Sequence, residues 1–375
     1  MASSFWTSSH SRLLFTAAEI HASNRHDANS ATLNPVVSQP TLRRLRAFYA
    51  SYLFELGRLC KVRARVVFTS IVYLRRFYLH RSFSTDDPRT IAPACLYLAS
   101  KVEECPVQAK LVAYFAKKIS QQTPSEVANW GRAWNGALGD ATTNAGERTT
   151  AAAGDIDGVV TAAAAAAAAA SSHANGTAAD DDAQASKLPA PPTAAGAAAS
   201  QDAACQVLLQ PPGVNELLRA EMVVLKQLEA YLIVHHPLRA LPSYLQALGI
   251  PPEGEGALRV YGVLSDSYRC DVCLMEPPHV LALGAAFLAC ASACSTSSST
   301  AMRGSPSDAA ASEVLREAMP RFEQLEGISV DDFAPFARHM LDYYEGDAAA
   351  LRTSVCRDAL ANALGALVPP PTTAL

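Results

Sequence analysis

Two stretches of this chain, Pro88–Lys101 and Pro278–Ala291, resemble each other residue by residue. Each begins with proline, which fits the first turn of a helix, and each is the most apolar helical stretch in its half of the chain. The matched pairs are Ile91 with Leu281, Ala92 with Ala282, Tyr97 with Phe287, Leu98 with Leu288 and Ala99 with Ala289. This repeat predicts two copies of one helical unit, each built around a central buried helix.

The first of these helices continues to Glu104 and carries one residue that its apolar pattern does not explain. Asp86 or Asp87 can cap its first free N–H groups. Its apolar face consists of Ile91, Cys95, Leu98 and Val102. Lys101 interrupts this almost uncharged run, either to complement the last turn of the helix dipole or to meet a partner. The second copy has Ala291 at this position, so the partner-facing role gains weight.

The remaining patterns are also helical, and no strictly alternating runs of Val, Ile and Thr occur, so the predicted fold class is all-α. We expect an N-terminal arm with a short helix over residues 1–37. The first helical unit is predicted over residues 38–236 and the second over residues 237–350. A C-terminal tail, 351–375, follows, and its end is rich in proline.

A change in composition marks a long insertion in the first unit. Residues 121–212 are dominated by Ala, Ser, Thr, Gly, Asp and Pro, and they include a polyalanine run at 162–170. So few large apolar side chains cannot offset the entropy of ordering the segment, which is predicted to be mostly disordered. Deleting residues 125–205 is therefore expected to leave stability and partner binding nearly unchanged.

Three further residues conflict with their surroundings. Glu221 lies on an apolar line at helical spacing, so it is either solvated at the edge of the core or matched by a partner. Phe5 and Trp6 are large and apolar close to a terminus that is normally polar and mobile. They either pack on the domain's own core or dock on a partner.

Composition and motifs exclude several classes of function. The formal net charge of −4 argues against a general nucleic-acid coat protein, and no stretch reaches the ~18 apolar residues of a membrane span. No Gly-rich phosphate loop or hydrolase motif occurs, so no enzyme activity and no cofactor are expected. The cysteine pairs Cys270/Cys273 and Cys290/Cys294 approach zinc spacing, but Cys290 has a core-like position, so no metal is expected.

Several motifs together resemble the cyclin family, most specifically its cyclin C type. They are Phe5-Trp6-x-Ser8-Ser9-His10, Val72-Tyr-x-x-Arg-Phe-Tyr78, Ala92-Pro93, Ala99-Ser-Lys-Val-Glu-Glu104, Leu232-Ile-Val-x-His-Pro237, Asp266-x-Tyr-Arg-x-Asp271 and Pro277-Pro278. These motifs cover both units. The fold that this resemblance implies is two tandem cyclin boxes.

The resemblance implies a nuclear regulatory subunit that binds and activates a cyclin-dependent kinase of the Mediator complex and so regulates RNA polymerase II transcription. The other kinase-module subunits of Mediator would be further partners, with no direct contact to nucleic acid or membrane. The kinase-binding residues that it implies are Lys101, Glu221, Phe5, Trp6, Tyr97 and Glu104. Lys101 and Glu221 look like the pair with which cyclins hold their kinase.

The resemblance also implies a second groove, at positions that fall on Tyr261, Ser265, Asp266 and Tyr344. Cyclin C proteins carry Trp and Asn where this chain has Tyr261 and Ser265, so the chain departs from the family at these two groove positions. A cyclin H type of transcriptional cyclin is the nearest alternative. Transcription factor IIB shares the doubled fold and binds DNA, but it would have a zinc ribbon ahead of the repeats, and residues 1–40 contain no cysteine.

Overall fold

The structure is a computed structural model that describes residues 5–23, 38–130, 204–295, 306–325 and 330–368. Throughout these ranges the chain forms helices and connecting turns, without a β-strand, as the all-α prediction requires. The α-helices of the first half are α1 (Ala17–Ser23), α2 (Gln39–Leu59), α3 (Ala64–His80), α4 (Pro88–Val102), α5 (Ala109–Ser120), α6 (Pro124–Ala128) and α7 (Val214–Gln227).

The second half has a similar helical organisation. Its α-helices are α8 (Leu241–Ala247), α9 (Glu255–Ser267), α10 (Val272–Met275), α11 (Pro278–Ser295), α12 (Pro306–Ala318), α13 (Ala334–Asp342), α14 (Ala349–Leu351) and α15 (Ser354–Leu367). Tyr343–Ala348, between α13 and α14, forms a π-helix. Short 3-10 helices are Ser9–Leu13, Pro237–Arg239, Met319–Gln324 and Val330–Phe333.

The two helices matched by the sequence repeat occupy equivalent central places. Helix α4 packs against α2, α3, α5 and α7, and α11 packs against α8, α9, α12 and α13. Asp87 accepts a hydrogen bond from the Arg89 N–H and caps α4, with Pro88 in the first turn. The predicted pair of helical units with buried central helices is confirmed.

Glycine 57 lies inside α2, although a glycine at this distance from the helix start often marks a helix end. The helix continues to Leu59, and Gly57 is buried. A Cβ atom at this position would collide with the side chain of Val67 on α3. The glycine therefore allows α2 and α3 to approach closely, rather than breaking the helix.

The predicted insertion is structured at both of its ends, which corrects the prediction for those residues. Trp130 is 4 % exposed and packs on Phe48 and Tyr52 of α2. At the other end, Leu208 is fully buried, and its carbonyl accepts a hydrogen bond of 2.9 Å from the Tyr49 hydroxyl. Residues 131–203 lie outside the described ranges. We call residues 122–130 and 204–210 the two stems of the insertion.

The predicted C-terminal tail contains a helix that belongs to the fold. Helix α15 packs on α2, and its Leu360 and Leu364 are buried. Next to it, Asp347 is 2 % exposed and forms ion pairs with Arg43 and Arg44 at the start of α2. The C-terminal segment thus covers the helix around which the first unit is built. The unit boundaries at residues 38, 236 and 350 stay predictions.

Neither a metal cluster nor a membrane span is found in the described ranges. No helix there is both long and apolar enough to cross a membrane. The His, Cys, Asp and Glu side chains in these ranges form no group of three or more that could hold a metal ion. Cys270, Cys273 and Cys290 are free thiols, and burial raises the pKa of each.

Candidate functional site

The best-defined polar site lies where the last turn of α4 meets α7. The Lys101 Nζ donates a hydrogen bond of 2.6 Å to Glu221 Oε1. The same ammonium group lies 4.1 Å from the centre of the Tyr97 ring, one helical turn earlier. The lysine side chain is 43 % exposed and the glutamate side chain 11 %. The pair therefore marks the edge of the core, with the cation on the outer side.

The environment keeps Lys101 charged. Burial acts to lower its pKa, but the hydrogen bond and charge of Glu221, together with Tyr97, outweigh burial and raise it. A carboxylate on an apolar stripe needs such a partner, because an unpaired buried charge is costly. The sequence did not establish that Lys101 would be that partner. If both charges faced only another protein, neither would be paired within the chain, and the Lys101–Glu221 ion pair contradicts this.

The apolar stripe of α7 explains where Glu221 lies. Leu217 and Val224 are fully buried, Leu228 is 7 % exposed, and Glu221 lies between them at 8 %. Since α7 packs along α4, this stripe faces the central helix of the unit. The apolar line predicted on α7 is therefore present in the structure. Glu221 lies on this line, at the point where α7 contacts the last turn of α4.

Exposed apolar side chains border this pair. Leu218 and Met222 are 39 % and 62 % exposed, and their spacing puts them on one flank of α7 next to Glu221. Beyond the helix, Tyr231 and Ile233 are 48 % and 62 % exposed. These four residues were not predicted as site residues. In the sequence these residues simply continue an apolar stretch, and apolar character alone does not show whether a side chain is exposed or buried.

The segment after α7 explains why Tyr231 and Ile233 are exposed. Leucines continue at helical spacing to Leu232, but the helix ends at Gln227. Glu229 and Ala230 then adopt positive φ angles of 49° and 57°, which turn the chain out of the helix. From Tyr231 the chain is non-helical, and the Tyr73 hydroxyl donates a hydrogen bond of 2.5 Å to the Leu232 carbonyl.

The predicted kinase-binding residues Tyr97 and Glu104 flank the pair differently. Tyr97 is half-buried under the lysine ammonium. Glu104 is exposed and has a φ of 56°, where the chain leaves α4. The preceding acid, Glu103, instead forms an ion pair of 2.6 Å with Arg65 and accepts a hydrogen bond from Thr69. Of the two consecutive acids, only Glu104 is exposed.

Of the two adjacent aromatic residues in the N-terminal arm, one is buried and the other is exposed. Phe5 is 3 % exposed, and its ring meets those of His10 and His235 edge-on at 5.2 and 5.9 Å. Trp6 is 57 % exposed and lies edge-on to His279 at 6.3 Å. Phe5 therefore packs on the chain itself, and its role in kinase binding stays a prediction. Trp6 remains available for a partner.

A small histidine cluster holds the arm in place. The His10 Nδ1 accepts a hydrogen bond of 2.9 Å from the His235 N–H, and the two rings stack 6.1 Å apart. Burial, with Arg76 and His235 nearby, lowers the pKa of His10 to about 3. Burial also lowers the pKa of His236 well below its usual range. Both rings are therefore neutral at physiological pH.

The four predicted second-groove residues separate into two pairs. Tyr261 and Ser265 are buried on α9, at 7 % and 1 % exposure. The hydroxyl group of Tyr344 donates a hydrogen bond of 3.0 Å to Asp266 Oδ2, and both residues line a cavity between the two units. Burial and the adjacent Asp266 raise the pKa of Tyr344. Of the four residues, Asp266 and Tyr344 line this cavity and Tyr261 and Ser265 do not, and the second groove stays a prediction.

Contacts between the two units were not predicted from the sequence. Arg75 on α3 is 3 % exposed and forms an ion pair of 2.5 Å with Asp271. The ring of Phe68 stacks on that of Tyr268 at 4.2 Å. Tyr268 and Asp271 belong to a motif that carries the family resemblance, whereas Phe68 and Arg75 are not among the motif residues. No spacing rule links α3 to a segment so far along the chain.

Comparison with known proteins shows similarity to cyclins. A model of the cyclin N-terminal domain matches residues 19–133. Cyclin-C1-2 of Arabidopsis thaliana is 26 % identical over 289 residues, 77 % of this chain and 78 % of the relative. Cyclin-C of Rattus norvegicus is 24 % identical over 290 residues, 77 % of this chain and 72 % of the relative.

The chain carries a cyclin N-terminal domain and is similar to cyclin C proteins over 77 % of its length. Cyclin-C of Drosophila melanogaster is also 24 % identical, over 293 residues and 77 % of each chain. The matches to cyclin C proteins extend well beyond the region matched by the cyclin N-terminal domain. The tandem helical units seen here are accordingly two cyclin boxes.

Proposed function

We propose that this cyclin is a nuclear regulatory subunit that binds and activates a cyclin-dependent kinase of the Mediator complex, and thereby regulates transcription by RNA polymerase II. The observation that carries the proposal is the Lys101–Glu221 pair, exposed on the cation side and bordered by apolar side chains. The similarity to cyclin C proteins supports the choice of kinase class.

The activity would come from the shape of this surface rather than from chemistry of its own. A protein kinase is active only when the glutamate of its αC helix pairs with the lysine of strand β3. A rigid helical surface that fits αC in its inward position shifts the kinase toward the active state, because it binds that state more tightly.

The pair offers αC both a donor and an acceptor. The lysine ammonium has three N–H donors, of which one is directed at Glu221 Oε1. The second carboxylate oxygen of Glu221 remains able to accept. Lys101 and Glu221 would thus bind backbone groups at the ends of the αC segment. Because they already hold each other, less side-chain freedom would be lost on binding.

The apolar border would supply most of the buried area. Leu218 and Met222, next to Glu221 on α7, expose apolar surface that a kinase helix would cover, and Tyr231 and Ile233 expose more beyond the end of the helix. Trp6 on the arm would add a contact that helps to select one kinase. Tyr97 and Glu104 would lie at the edge of the interface.

A second partner site is part of the proposal. Asp266 and Tyr344 line the cavity between the boxes, away from α4 and α7. We assign this cavity to another subunit of the Mediator kinase module. Direct contact with nucleic acid or membrane forms no part of the function, and neither does a cofactor.

Purification from cells tests the kinase assignment. The tagged chain is expressed in the cells from which it comes, its copurifying proteins are identified by mass spectrometry, and the kinase activity of the eluate is measured. We expect a cyclin-dependent kinase together with Mediator subunits, and an eluate activity that disappears when Met222→Asp is used as bait. Recovery of the kinase by Met222→Asp at wild-type yield would contradict the proposed surface. The matched control is Leu341→Asp, which changes an exposed leucine on α13.

A further inference from the structure

We propose that helix α5 carries a docking surface for an acidic, amphipathic segment of a partner protein. The surface consists of Lys110, Leu111, Tyr114, Lys117 and Lys118, which we call the α5 patch, and all five residues are exposed. The α5 patch shares no residue with the surface assigned above to the kinase. The inference therefore goes beyond the proposed function and does not depend on it.

The buried residues of α5 define the opposite side of the helix. Val112 and Ile119 are fully buried and Ala116 is 1 % exposed, and α5 packs on α2, α4 and α7. At 3.6 residues per turn, Tyr114 lies almost directly opposite this buried side, with the rest of the α5 patch beside it. The α5 patch is thus a single stripe along the solvent side of the helix.

The centre of the α5 patch is apolar. Leu111 is 40 % exposed and Tyr114 is 62 % exposed, one turn apart on the same side of the helix. Single exposed apolar residues are common, but neighbouring ones rimmed by polar side chains mark places where proteins bind each other. Tyrosine is among the residue types that contribute most to such binding.

The charge of the α5 patch is positive throughout. Helix α5 has three lysines and no Asp or Glu, and none of these lysines forms an ion pair within the described ranges. The helix dipole favours Lys117 and Lys118 in the last turn, but it disfavours Lys110 in the first. The position of Lys110 therefore has no explanation in the stability of the helix itself.

Acidic residues on the neighbouring helices are engaged elsewhere. Glu221 is paired with Lys101. Glu126 and Glu216 accept hydrogen bonds from backbone N–H groups at the starts of α6 and α7. The three lysines are consequently free to attract an acidic partner and to orient it as it binds.

The combination of apolar and cationic side chains favours a peptide over nucleic acid. A nucleic acid would use the lysines but would leave Leu111 without a matching apolar surface, and the net charge of −4 opposes a polyanion. A peptide with Asp or Glu interspersed among large apolar residues matches both kinds of side chain. We therefore expect this composition in the partner segment.

Selection from a random peptide library tests the inference on the full chain. Phage-displayed 12-residue peptides are selected on the wild-type protein, and peptides that also bind the variant Leu111→Asp are removed. Synthetic copies of the enriched peptides are titrated by fluorescence anisotropy, each beside a copy in which Asp and Glu are replaced by Asn and Gln. A short DNA duplex is titrated as a separate ligand.

We expect the enriched peptides to contain acidic residues, and their amide copies to bind at least about tenfold more weakly. Tyr114→Asp should weaken binding at least about tenfold and Lys117→Glu at least about threefold. The matched controls are Leu341→Asp and Arg338→Glu, at exposed positions of α13, and both should bind like the wild type. All four substitutions lie on exposed helix positions, and circular dichroism checks that each variant is folded.

Four outcomes overturn the inference. They are that no peptide distinguishes the wild type from Leu111→Asp, that the amide copies bind equally well, that Tyr114→Asp binds the peptides like the wild type, or that the DNA duplex binds more tightly than the peptides.

Two further measurements exclude other occupants of the α5 patch. Loss of kinase binding in Tyr114→Asp would assign the patch to the kinase. Residues 131–203 contain eight acidic and three basic residues, so peptide binding that is tightened about tenfold by their deletion would assign the patch to the insertion. Either result overturns the inference, whereas a chain that binds the peptides but no kinase contradicts the proposed function alone.

Discussion

Lys101 and Glu221 are unequal partners at the residue scale, because the lysine side chain is 43 % exposed and the glutamate side chain 11 %. Removing the lysine leaves a mostly buried carboxylate unpaired, whereas removing the glutamate leaves an ammonium that can turn to water. We expect Lys101→Ala to lower the free energy of unfolding by about 1–3 kcal/mol and Glu221→Ala by under about 1 kcal/mol. Urea denaturation of the isolated chain measures both. Equal losses would contradict this asymmetry.

Substitutions at Phe5 and Trp6 test whether each residue of the arm packs on the core or docks on a partner. Phe5→Ala removes a buried ring and should free the arm, at a cost of about 3 kcal/mol if the arm and core unfold together. Trp6→Ala should change stability by no more than about 0.5 kcal/mol, since the side chain is 57 % exposed, and should weaken kinase binding. Hydrogen exchange across residues 5–13 and a kinase titration provide the readouts. Wild-type kinase affinity of Trp6→Ala would show that the arm does not contact the kinase.

The histidines under the arm make stability depend on pH. The folded pKa of His10 is about 3, against 6.5 when the group is in water, so the unfolded chain binds more protons between these values. Stability should therefore fall as pH drops from about 6.5 toward 3, by up to about 1.4 kcal/mol per pH unit for each such histidine. His236 acts in the same direction.

The variant His10→Asn keeps a hydrogen-bond acceptor but cannot take up a proton. Urea unfolding between pH 7 and pH 5 should then show a flatter decline than the wild type. The control is His21→Asn, which changes an exposed histidine on α1. An unchanged slope in His10→Asn would show that His10 does not contribute to the pH dependence.

At the scale of elements, the sequence predicted most helices and the repeat, because apolar spacing and proline positions are local signals. Apolar spacing did not reveal distant contacts such as the one at Gly57, where Val67 on the next helix leaves no room for a Cβ atom. It also did not reveal the local turn at Glu229 and Ala230 that follows the end of α7 at Gln227. The insertion stems were missed because Trp130 and Leu208 are isolated apolar residues in a polar composition, and only α2 shows what they cover.

The stems change the prediction for the insertion. Deleting residues 131–203 and joining the ends by a flexible Gly/Ser linker should leave stability nearly unchanged, because both stems stay on α2. Deleting residues 125–205 should lower the free energy of unfolding by at least about 3 kcal/mol, since it removes the buried Trp130 and Cys205. Thermal and urea unfolding compare the two. Equal stability of both deletions would show that the stems do not support the first box.

At the scale of the whole molecule, the two boxes are joined by contacts that no local pattern encodes. The Arg75–Asp271 ion pair and the stacked rings of Phe68 and Tyr268 join α3 to the second box. The candidate site shows the same division between what is predictable and what is not. Lys101 and Glu221 were identified from helical spacing and the family resemblance, but their mutual pairing depends on the packing of α7 along α4.

The affinity of the kinase for chains altered at this pair tests the proposed function most directly. Dissociation constants are measured by surface plasmon resonance for the wild type, Lys101→Ala and Glu221→Ala, at a temperature where circular dichroism shows all of them folded. We expect each change to weaken binding roughly thirtyfold or more, because truncating one member of a desolvated charge contact costs about 2–5 kcal/mol. The control Glu313→Ala, which breaks an exposed pair with Arg316 on α12, should bind like the wild type. Wild-type affinity of both Lys101→Ala and Glu221→Ala would contradict the assignment of this surface to the kinase.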